Sequence, residues 1–290
     1  MMSAADTHDI QAMTEHAEAI VDRVDNLVTL PEVYFEIKRI VDSPDSDIID
    51  VAKAISTDAA LTTRLLRIVN SPVYAQGRPV ETVTRAVSML GMIQVHDLAL
   101  AVSLATSFSN MQPCTMDVTR FWRDSLLRAG AARKLAESCR IMDREQMFIL
   151  GLLSDIGHMA LYLTEPDAMN RVLLQQTQSG EAHHLIERRE LGCDFAVVGA
   201  ALLRRWHLPE SLWVPIGQQN MPHPDGLLAA KSALLHVIDG ALRARESRRD
   251  IGLETDPVAW STLGITPEAV ESAIADSEEI ASGALLAFQR

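Results

Sequence analysis

The 290-residue sequence has few cysteines, and their placement excludes two kinds of small scaffold. Cys114, Cys139 and Cys193 are odd in number and widely spaced, and no two of them form a C-x-x-C pair. Neither a disulfide framework nor a thiolate zinc site can be built from such a set. This cysteine usage is typical of a reducing compartment, so we expect a cytoplasmic protein.

The chain also lacks an excess of positive charge. Its 26 Lys and Arg residues stand against 39 Asp and Glu residues, which gives a net charge of −13. Such a chain repels phosphate backbones on average, so nucleic-acid binding is not expected. The N-terminal segment carries acids where a signal peptide needs a basic leader. The longest apolar stretch, 147–163, is interrupted by Ser154, Asp155 and His158, so we predict no membrane span.

What the chain does have is helical periodicity. Apolar residues recur at spacings of three and four in nearly every segment, whereas alternation with period two is rare. Aromatic residues, which favour strands, make up only 4% of the chain. The sequence therefore predicts an all-α protein, long enough for one large domain or two ordinary ones.

Three segments carry local predictions. The helix with Leu65 on its core face should end at Asn70-Ser71-Pro72, because Asn tolerates a left-handed cap and Pro72 cannot continue the helix. The segment 145–163 is apolar on nearly all sides and should form a buried central helix, divided near Gly157. A connector at 111–117 is predicted to separate two helical subdomains.

Six stretches follow one another in a characteristic order. They are LPEVYFEI (30–37), ISTDAALTTRLLRIVNSPVY (55–74), VTRAVSMLG (83–91), FWRDSLLRA (121–129), GLLSDIGHMAL (151–161) and ERRELGCDFAVVGAALLRRWHLP (187–209). Together they resemble the HDOD family, bacterial regulatory relatives of the HD-domain metal phosphohydrolases. The resemblance implies an N-terminal helical bundle packed on a degenerate HD-like helical bundle.

The resemblance and the connector together predict four regions. They are a polar leader (1–29), an N-terminal helical subdomain (30–115), an HD-like helical subdomain (116–246) and a C-terminal helical extension (247–290). The leader is predicted to hold one short amphipathic helix. The extension is predicted to dock on the core or on a partner, as helices with an apolar face often do.

A working HD site, as the resemblance implies, holds a divalent metal between two His and two Asp side chains. The corresponding positions in this chain are Asp124, Ser154-Asp155 and Asp239, and two positions where relatives often keep His are Phe195 and Gln219-Asn220. Hydroxyl, phenyl and amide groups replace the imidazoles, so we expect no metal, no cofactor and no catalytic residue. The remaining carboxylates would then form a buried polar remnant.

An alternative interpretation keeps a metal on oxygen ligands alone. Asp124, Asp155 and Asp239 could together hold Mg²⁺ or Mn²⁺, because these ions prefer carboxylates and water. The chain would then be a residual metal-dependent phosphohydrolase acting on a nucleotide or a cyclic dinucleotide.

Other polar residues are predicted to have structural roles. His183, His184 and Glu187 share a helix face that we interpret as solvated, and His158 as a hydrogen-bonded helix histidine. Arg204, Arg205 and Trp206 are the candidates for binding a nucleotide-like ligand or a partner, since Arg and Trp can stack on a base. The alternative for them is that the Arg stems cover apolar helix surface.

The helical scaffold is preserved, whereas the histidines that would bind the metal are replaced. Together these features favour a non-enzymatic signal-transduction module, a pseudoenzyme. It would bind a signalling protein partner and, as a further option, a nucleotide-like ligand, and no membrane partner is expected. On this interpretation Asp155→Ala leaves the fold intact, whereas Leu65→Ala costs about 2–5 kcal/mol of stability.

Overall fold

The computed structural model describes residues 4–25, 30–72, 74, 77–109 and 116–288. Within these ranges every regular element is helical and no strand occurs, which confirms the all-α prediction. The helices are α1 (Ala4–Asp25), α2 (Glu32–Val41), α3 (Ile48–Ser56), α4 (Ala59–Val69), α5 (Val83–Leu90), α6 (Met92–Ser109), α7 (Val118–Leu135), α8 (Arg144–Leu153), α9 (Ile156–Thr164), α10 (Pro166–Ser179), α11 (His183–Leu191), α12 (Phe195–Arg205), α13 (Glu210–Gln218), α14 (Ala229–Ser247), α15 (Pro257–Leu263), α16 (Pro267–Asp276) and α17 (Glu278–Ala284).

The end of α4 differs from the prediction in one detail. Asn70 has φ −91° and ψ 0°, so the helix ends without a left-handed residue. Instead the Asn70 side chain pairs with the backbone of Val80: Oδ1 accepts from the Val80 N–H at 2.7 Å, and Nδ2 donates to the Val80 carbonyl at 2.9 Å. The amide therefore fixes the position of Val80 ahead of α5, which is a tertiary role that local propensity does not reveal.

The N-terminal bundle consists of α2–α6, whose helices contact one another around an apolar centre. Tyr34, Ile37, Ile55 and Leu65 are fully buried there, and they occupy the helix faces on which the spacing of three and four places them. Burial of such side chains contributes about 1.5–3 kcal/mol each, and this bundle depends on that term.

The helices of the predicted HD-like subdomain, here called the HD-like bundle, are α7–α14, with α7 against α8 and α14, and α12 between α9 and α13. Gly151 lets α8 approach α7 closely, because a Cβ atom there would lie 2.6 Å from the Arg128 carbonyl oxygen. The predicted central helix divides at Ser154-Asp155, three residues before Gly157. The break places Asp155 at the start of α9, at the centre of the bundle.

The two ends of the chain also pack on the core. Helix α1 is 22 residues long and contacts α9 and α12, and its Ala17 and Val21 are fully buried. Helices α16 and α17 contact α7, and Phe288 lies against Trp122 with ring centroids 5.2 Å apart. Residues 111–115 of the predicted connector, Cys114 included, lie outside the described residues, so the predicted subdomain boundary stays a prediction.

One apolar stretch bears on the prediction of no membrane span. The segment Arg144–Thr164 is long and apolar enough to cross a membrane, despite the polar residues within it. However, 78% of its most apolar window is buried inside the protein. This burial is typical of a core helix of a soluble protein, and it comes from the contacts of α8 and α9 with their neighbours.

Candidate functional site

A cleft of about 530 Å³, here called the central cleft, opens on the HD-like bundle between α7, α9, α11 and α14. All three predicted aspartates, Asp124, Asp155 and Asp239, lie in its wall, and α17 contributes Glu278. Small-molecule sites have volumes of about 300–1,000 Å³, so the central cleft has the size of a ligand site. Its floor is formed by charged side chains.

The first part of that floor is centred on His158. Its Nε2 lies 2.8 Å from Glu187 Oε1, and its Nδ1 lies 2.6 Å from Asp155 Oδ1. Because both partners are carboxylates, both ring nitrogens donate and the ring is an imidazolium. The second Glu187 oxygen accepts from the backbone N–H of Phe195 at 2.9 Å, and the Phe195 ring stacks on His158 at 4.1 Å between centroids.

The second part of the floor is the guanidinium of Arg128, which lies between two aspartates. Its Nη2 donates to Asp239 Oδ1 at 2.9 Å, and its Nη1 lies 3.5 Å from Asp155 Oδ2. Arg243 pairs with the other oxygen of Asp239 and donates from Nη2 to the Glu254 carbonyl at 2.8 Å. Arg243 Nε also lies 3.5 Å from Glu254 Oε2.

These contacts form one continuous series, here called the ion chain. In order it is Glu187, His158, Asp155, Arg128, Asp239, Arg243 and Glu254. The sign of the charge alternates at each step, so each cation lies between two carboxylates. Such pairing is what buried charges require, because an unpaired ion in the interior is costly.

The pKa values of the ion chain follow from this alternation. Burial opposes the charged form of His158, but the carboxylates of Asp155 and Glu187 outweigh it and hold the pKa of His158 well above its ordinary value. Burial also opposes ionisation of Asp155, yet Arg128 and His158 bring the pKa of Asp155 well below the usual range. The pKa of Asp239 is lowered in the same way by Arg243 and Arg128. All three groups are therefore charged at neutral pH.

The same contacts do not fit a divalent metal. The guanidinium of Arg128 lies between Asp155 and Asp239, where a metal would have to bind, and it already pairs with both carboxylates. Asp124 is turned to other cations, with Arg120 Nε and Arg123 Nη1 each 3.4 Å from one of its oxygens. Among the described residues no group of three His, Cys, Asp or Glu side chains is arranged to hold a metal ion.

The sequence matches the HDOD domain family over residues 27–222, about two thirds of the chain. The chain belongs to the HDOD family. A curated relative, an uncharacterized protein from Treponema pallidum (strain Nichols), is 27% identical over 212 residues, which are 72% of this chain and 41% of the relative. The chain thus spans about two fifths of that relative's length.

Solved structures share the HDOD fold. An HDOD domain protein of unknown function from Geobacter sulfurreducens is 22% identical with a TM-score of 0.73, covering 94% of this chain and 98% of that one. A candidate phosphohydrolase from Shewanella amazonensis SB2B is 24% identical with a TM-score of 0.71, covering 92% and 98%. A candidate signal transduction protein from Marinobacter aquaeolei VT8 is 21% identical with a TM-score of 0.73, covering 96% and 65%. At these identities the likeness shows the fold alone.

Two further predicted site positions of this HDOD chain, Ser154 and Gln219, make hydrogen bonds within the bundle. The Ser154 hydroxyl donates to the Gly151 carbonyl at 2.9 Å, and Gln219 Nε2 donates to the Ser154 carbonyl at 2.7 Å. His236 links the same region, because its Nε2 accepts from the Asp256 N–H and its Nδ1 therefore donates to the Gln219 carbonyl. Asn220 Nδ2 is buried without a hydrogen-bond partner among the described residues.

The prediction of a solvated face on α11 is wrong. Glu187 is fully buried and His184 is 8% exposed, because α11 turns this face to α9 and the central cleft. The prediction for His158 as a hydrogen-bonded helix residue agrees with its contacts. Spacing alone could not distinguish a face that packs on charged neighbours from one that meets water.

Arg128 and Arg243 are the site residues that the sequence reasoning missed. A signal for them existed: Asp124 and Arg128 are four residues apart on α7, as are Asp239 and Arg243 on α14, and this spacing places acid and base on one helix face. Such pairs are common on solvated helices. Only the packing of α7 on α8 and α14 shows that Asp239 is buried and that the side chains of Arg128 and Arg243 are only 12% and 17% exposed.

The predicted ligand candidates lie elsewhere. Arg204 and Arg205 form ion pairs with Glu18 and Asp22 of α1, and neither arginine lines the central cleft. Trp206 is 4% exposed, at the end of α12. Their contacts attach α1 to the HD-like bundle, and a role in binding a ligand or a partner stays a prediction.

Proposed function

We propose that this HDOD protein is a non-enzymatic signal-transduction module that binds a signalling protein partner. In this role the HD-like bundle is a rigid scaffold, the ion chain replaces the catalytic metal, and the central cleft is open to a nucleotide-like ligand. Membership of the HDOD family supports a regulatory role. The Marinobacter structure, described as that of a candidate signal transduction protein, has the same fold.

The observation that carries the proposal is the place of Arg128. Its guanidinium supplies the positive charge that Asp155 and Asp239 need, so these carboxylates are already neutralised by a group that carries no activated water. A metal would have to displace a buried cation that is hydrogen-bonded to Asp239. That displacement costs free energy, because the arginine would lose its partners while still buried.

Equilibrium dialysis against Mn²⁺ and Mg²⁺, with metal analysis of the protein, tests the absence of a metal centre. We expect less than stoichiometric binding, and no hydrolysis of a panel of nucleotides and cyclic dinucleotides. Asp155→Asn serves as the matched variant, since it keeps the shape of the side chain and removes its charge. Stoichiometric Mn²⁺ that is lost in this variant would instead establish the metal-dependent phosphohydrolase that uses Asp124, Asp155 and Asp239.

Partner binding is tested by affinity capture from an extract of the source organism, followed by mass spectrometry. We expect one signalling protein at close to stoichiometric yield, absent when heat-denatured protein is the bait. The purified pair should then form a complex in analytical ultracentrifugation. If no captured protein binds again in purified form, the partner-binding role is rejected.

A further inference from the structure

Helix α1 lies outside the part of the chain that matches the HDOD family. The match begins at residue 27, whereas α1 spans Ala4–Asp25. The helix packs on α9 and α12 of the HD-like bundle. It therefore covers a surface that the family domain itself forms, and its contacts describe which kind of helix that surface accepts.

The C-terminal half of α1 is buried along one apolar stripe. Ala17, Ile20, Val21 and Val24 are each at most 3% exposed. Their spacing places them on a single face of the helix, which packs on α9 and α12. Burial of such side chains supplies most of the free energy that holds an amphipathic helix on a surface.

Charged residues beside the stripe add selectivity. Glu18 and Asp22 are one turn apart on α1, and they pair with Arg204 and Arg205 in the last turn of α12. The two arginine side chains are 48% and 34% exposed, so the pairs contribute little to affinity. They decide instead which helix is accepted, because a basic side chain in place of either acid would be repelled. The end of α12 thus selects helices that carry acids beside an apolar stripe.

The N-terminal half of α1 fits the bundle less closely. A groove of about 370 Å³, here called the α1 groove, remains between α1, α12 and α13. Its walls include Ile10, Met13 and Thr14 of α1, Val197 and Ala201 of α12, and Trp213 of α13. The three α1 residues are only half-buried. Close helix packing leaves few voids larger than a water molecule, so a helix with larger apolar side chains at these positions would bury more surface and bind more tightly than α1 does.

We propose that the surface of α9, α12 and α13 beneath α1 is the docking site for an amphipathic helix of the signalling partner, and that α1 occupies this site within the chain. The partner helix has an apolar stripe, acids that pair with Arg204 and Arg205, and bulky apolar residues that fill the α1 groove. It displaces α1 when it binds. This inference rests on the proposed function, because it names where the signalling partner binds.

Fluorescence anisotropy with the intact chain tests the proposal, with a labelled peptide of the α1 sequence (residues 4–25) as the probe. Ala17→Asp places a carboxylate in the buried stripe and should release α1, whereas Ala19→Asp adds the same charge at an exposed position of the same helix. We expect Ala17→Asp to bind the peptide at least about tenfold more tightly than the unaltered chain or Ala19→Asp, because its docking surface is then accessible.

A milder variant keeps the test decisive if Ala17→Asp does not fold, which circular dichroism checks. Glu18→Lys weakens the attachment of α1 without introducing a buried charge, because it replaces an ion pair by repulsion from Arg204 and Arg205. We expect it to raise the affinity for the peptide by about threefold. Unchanged affinity in a folded Glu18→Lys chain would contradict the proposal.

Changes in charge and volume test what the surface selects. In the Ala17→Asp chain, Arg204→Glu should weaken peptide binding by about fivefold, and a peptide with Glu18→Arg should recover part of that loss. A peptide with Thr14→Leu should bind at least about threefold more tightly than one with Thr14→Ala, because Leu fills the α1 groove. Thr14→Ala controls for the gain in helix propensity on removal of Thr.

Equal binding of the peptide to Ala17→Asp and Ala19→Asp, or to the chain by the Thr14→Leu and Thr14→Ala peptides, would overturn the proposal. A captured signalling partner should bind Ala17→Asp more tightly than the unaltered chain, and the peptide should compete with it. A partner that responds to neither change would reject this inference alone, whereas failure to capture any partner rejects the proposed function. If the intact chain instead forms dimers in sedimentation that Ala17→Asp abolishes, the surface binds α1 of a second copy and its assignment to a partner is wrong.

Discussion

The two bundles of this protein are built from helices of similar length, yet their centres differ in chemistry. The N-terminal bundle has Tyr34, Ile37 and Leu65 at its centre, whereas the HD-like bundle has His158 and Asp155 there. An apolar centre is stabilised roughly in proportion to the area it removes from water, so it weakens gradually as groups are deleted. The stability of a bundle with a buried ion chain requires every member of the chain, because removal of one charged side chain leaves its neighbour buried without a partner.

Among the substitutions that test this difference between the two bundles, Arg128→Met should have the largest effect on the free energy of unfolding. The substitution leaves Asp155 and Asp239 buried with one cation fewer, so we expect a loss of about 3–5 kcal/mol in the free energy of unfolding. Urea denaturation followed by circular dichroism measures it, with Arg39→Met on the exposed face of α2 as control, expected to change stability by less than about 0.5 kcal/mol. Equal midpoints for the two variants would show that the ion chain contributes nothing.

Asp155→Ala should also destabilise the HD-like bundle. The sequence led us to expect an intact fold, but the side chain neutralises both His158 and Arg128. We now expect a destabilisation comparable to that of Arg128→Met, about 3–5 kcal/mol.

The matching change in the N-terminal bundle is Leu65→Ala. This side chain is fully buried among apolar neighbours, so its truncation should cost about 2–5 kcal/mol through lost transfer energy and a residual cavity. The loss should be the same at pH 6.5 and pH 8.5, because no charged group is removed. A strongly pH-dependent loss would show that the two bundles are not energetically distinct.

The pH dependence of stability should distinguish the ion chain from the neutral histidines. The pKa of His158 is raised above 6.5 in the folded protein, so its contribution to the free energy of unfolding is complete below pH 6.5. As pH rises, this contribution falls by about 1.4 kcal/mol per pH unit until the folded pKa is passed. The pKa values of His183, His184 and His236 are lowered, so their contribution is present above pH 6.5 and is lost as pH falls. Asp155 and Asp239 add a further loss below about pH 4.

We therefore expect maximal stability near pH 6.5, with decline on both sides, in urea midpoints measured from pH 4 to pH 9. His158→Gln should remove the alkaline decline while leaving the acid one. An alkaline decline that persists in this variant would assign it to another group.

The smallest effect is expected at the surface of α1. Glu18 is partly exposed and pairs with Arg204 and Arg205, so Glu18→Gln should cost less than about 1 kcal/mol. The cost should shrink further in 1 M salt, where exposed charges are screened. A loss as large as that of Leu65→Ala would mean that these pairs, rather than buried Ala17 and Val21, hold α1 in place.

Much of the fold was predictable because helix formation leaves a local pattern. The spacing of apolar residues predicted the helices, and it placed Leu65 on the buried face of α4. The candidate site was predictable only in part. Asp124, Asp155 and Asp239 do meet in one cleft, but the prediction did not contain the arginines that neutralise two of them.

The sequence by itself determined the all-helical architecture and the HDOD resemblance, because both follow from residue type and spacing. Through that resemblance it also indicated which positions lack the metal-binding imidazoles. Only the tertiary structure decided which charges surround the three aspartates. Arg128, His158 and Glu187 come from three different helices, and nothing in their spacing along the chain indicates that their charges alternate at contact distance. Charge pairing over such separations depends on how helices pack, and packing is a property of the whole chain.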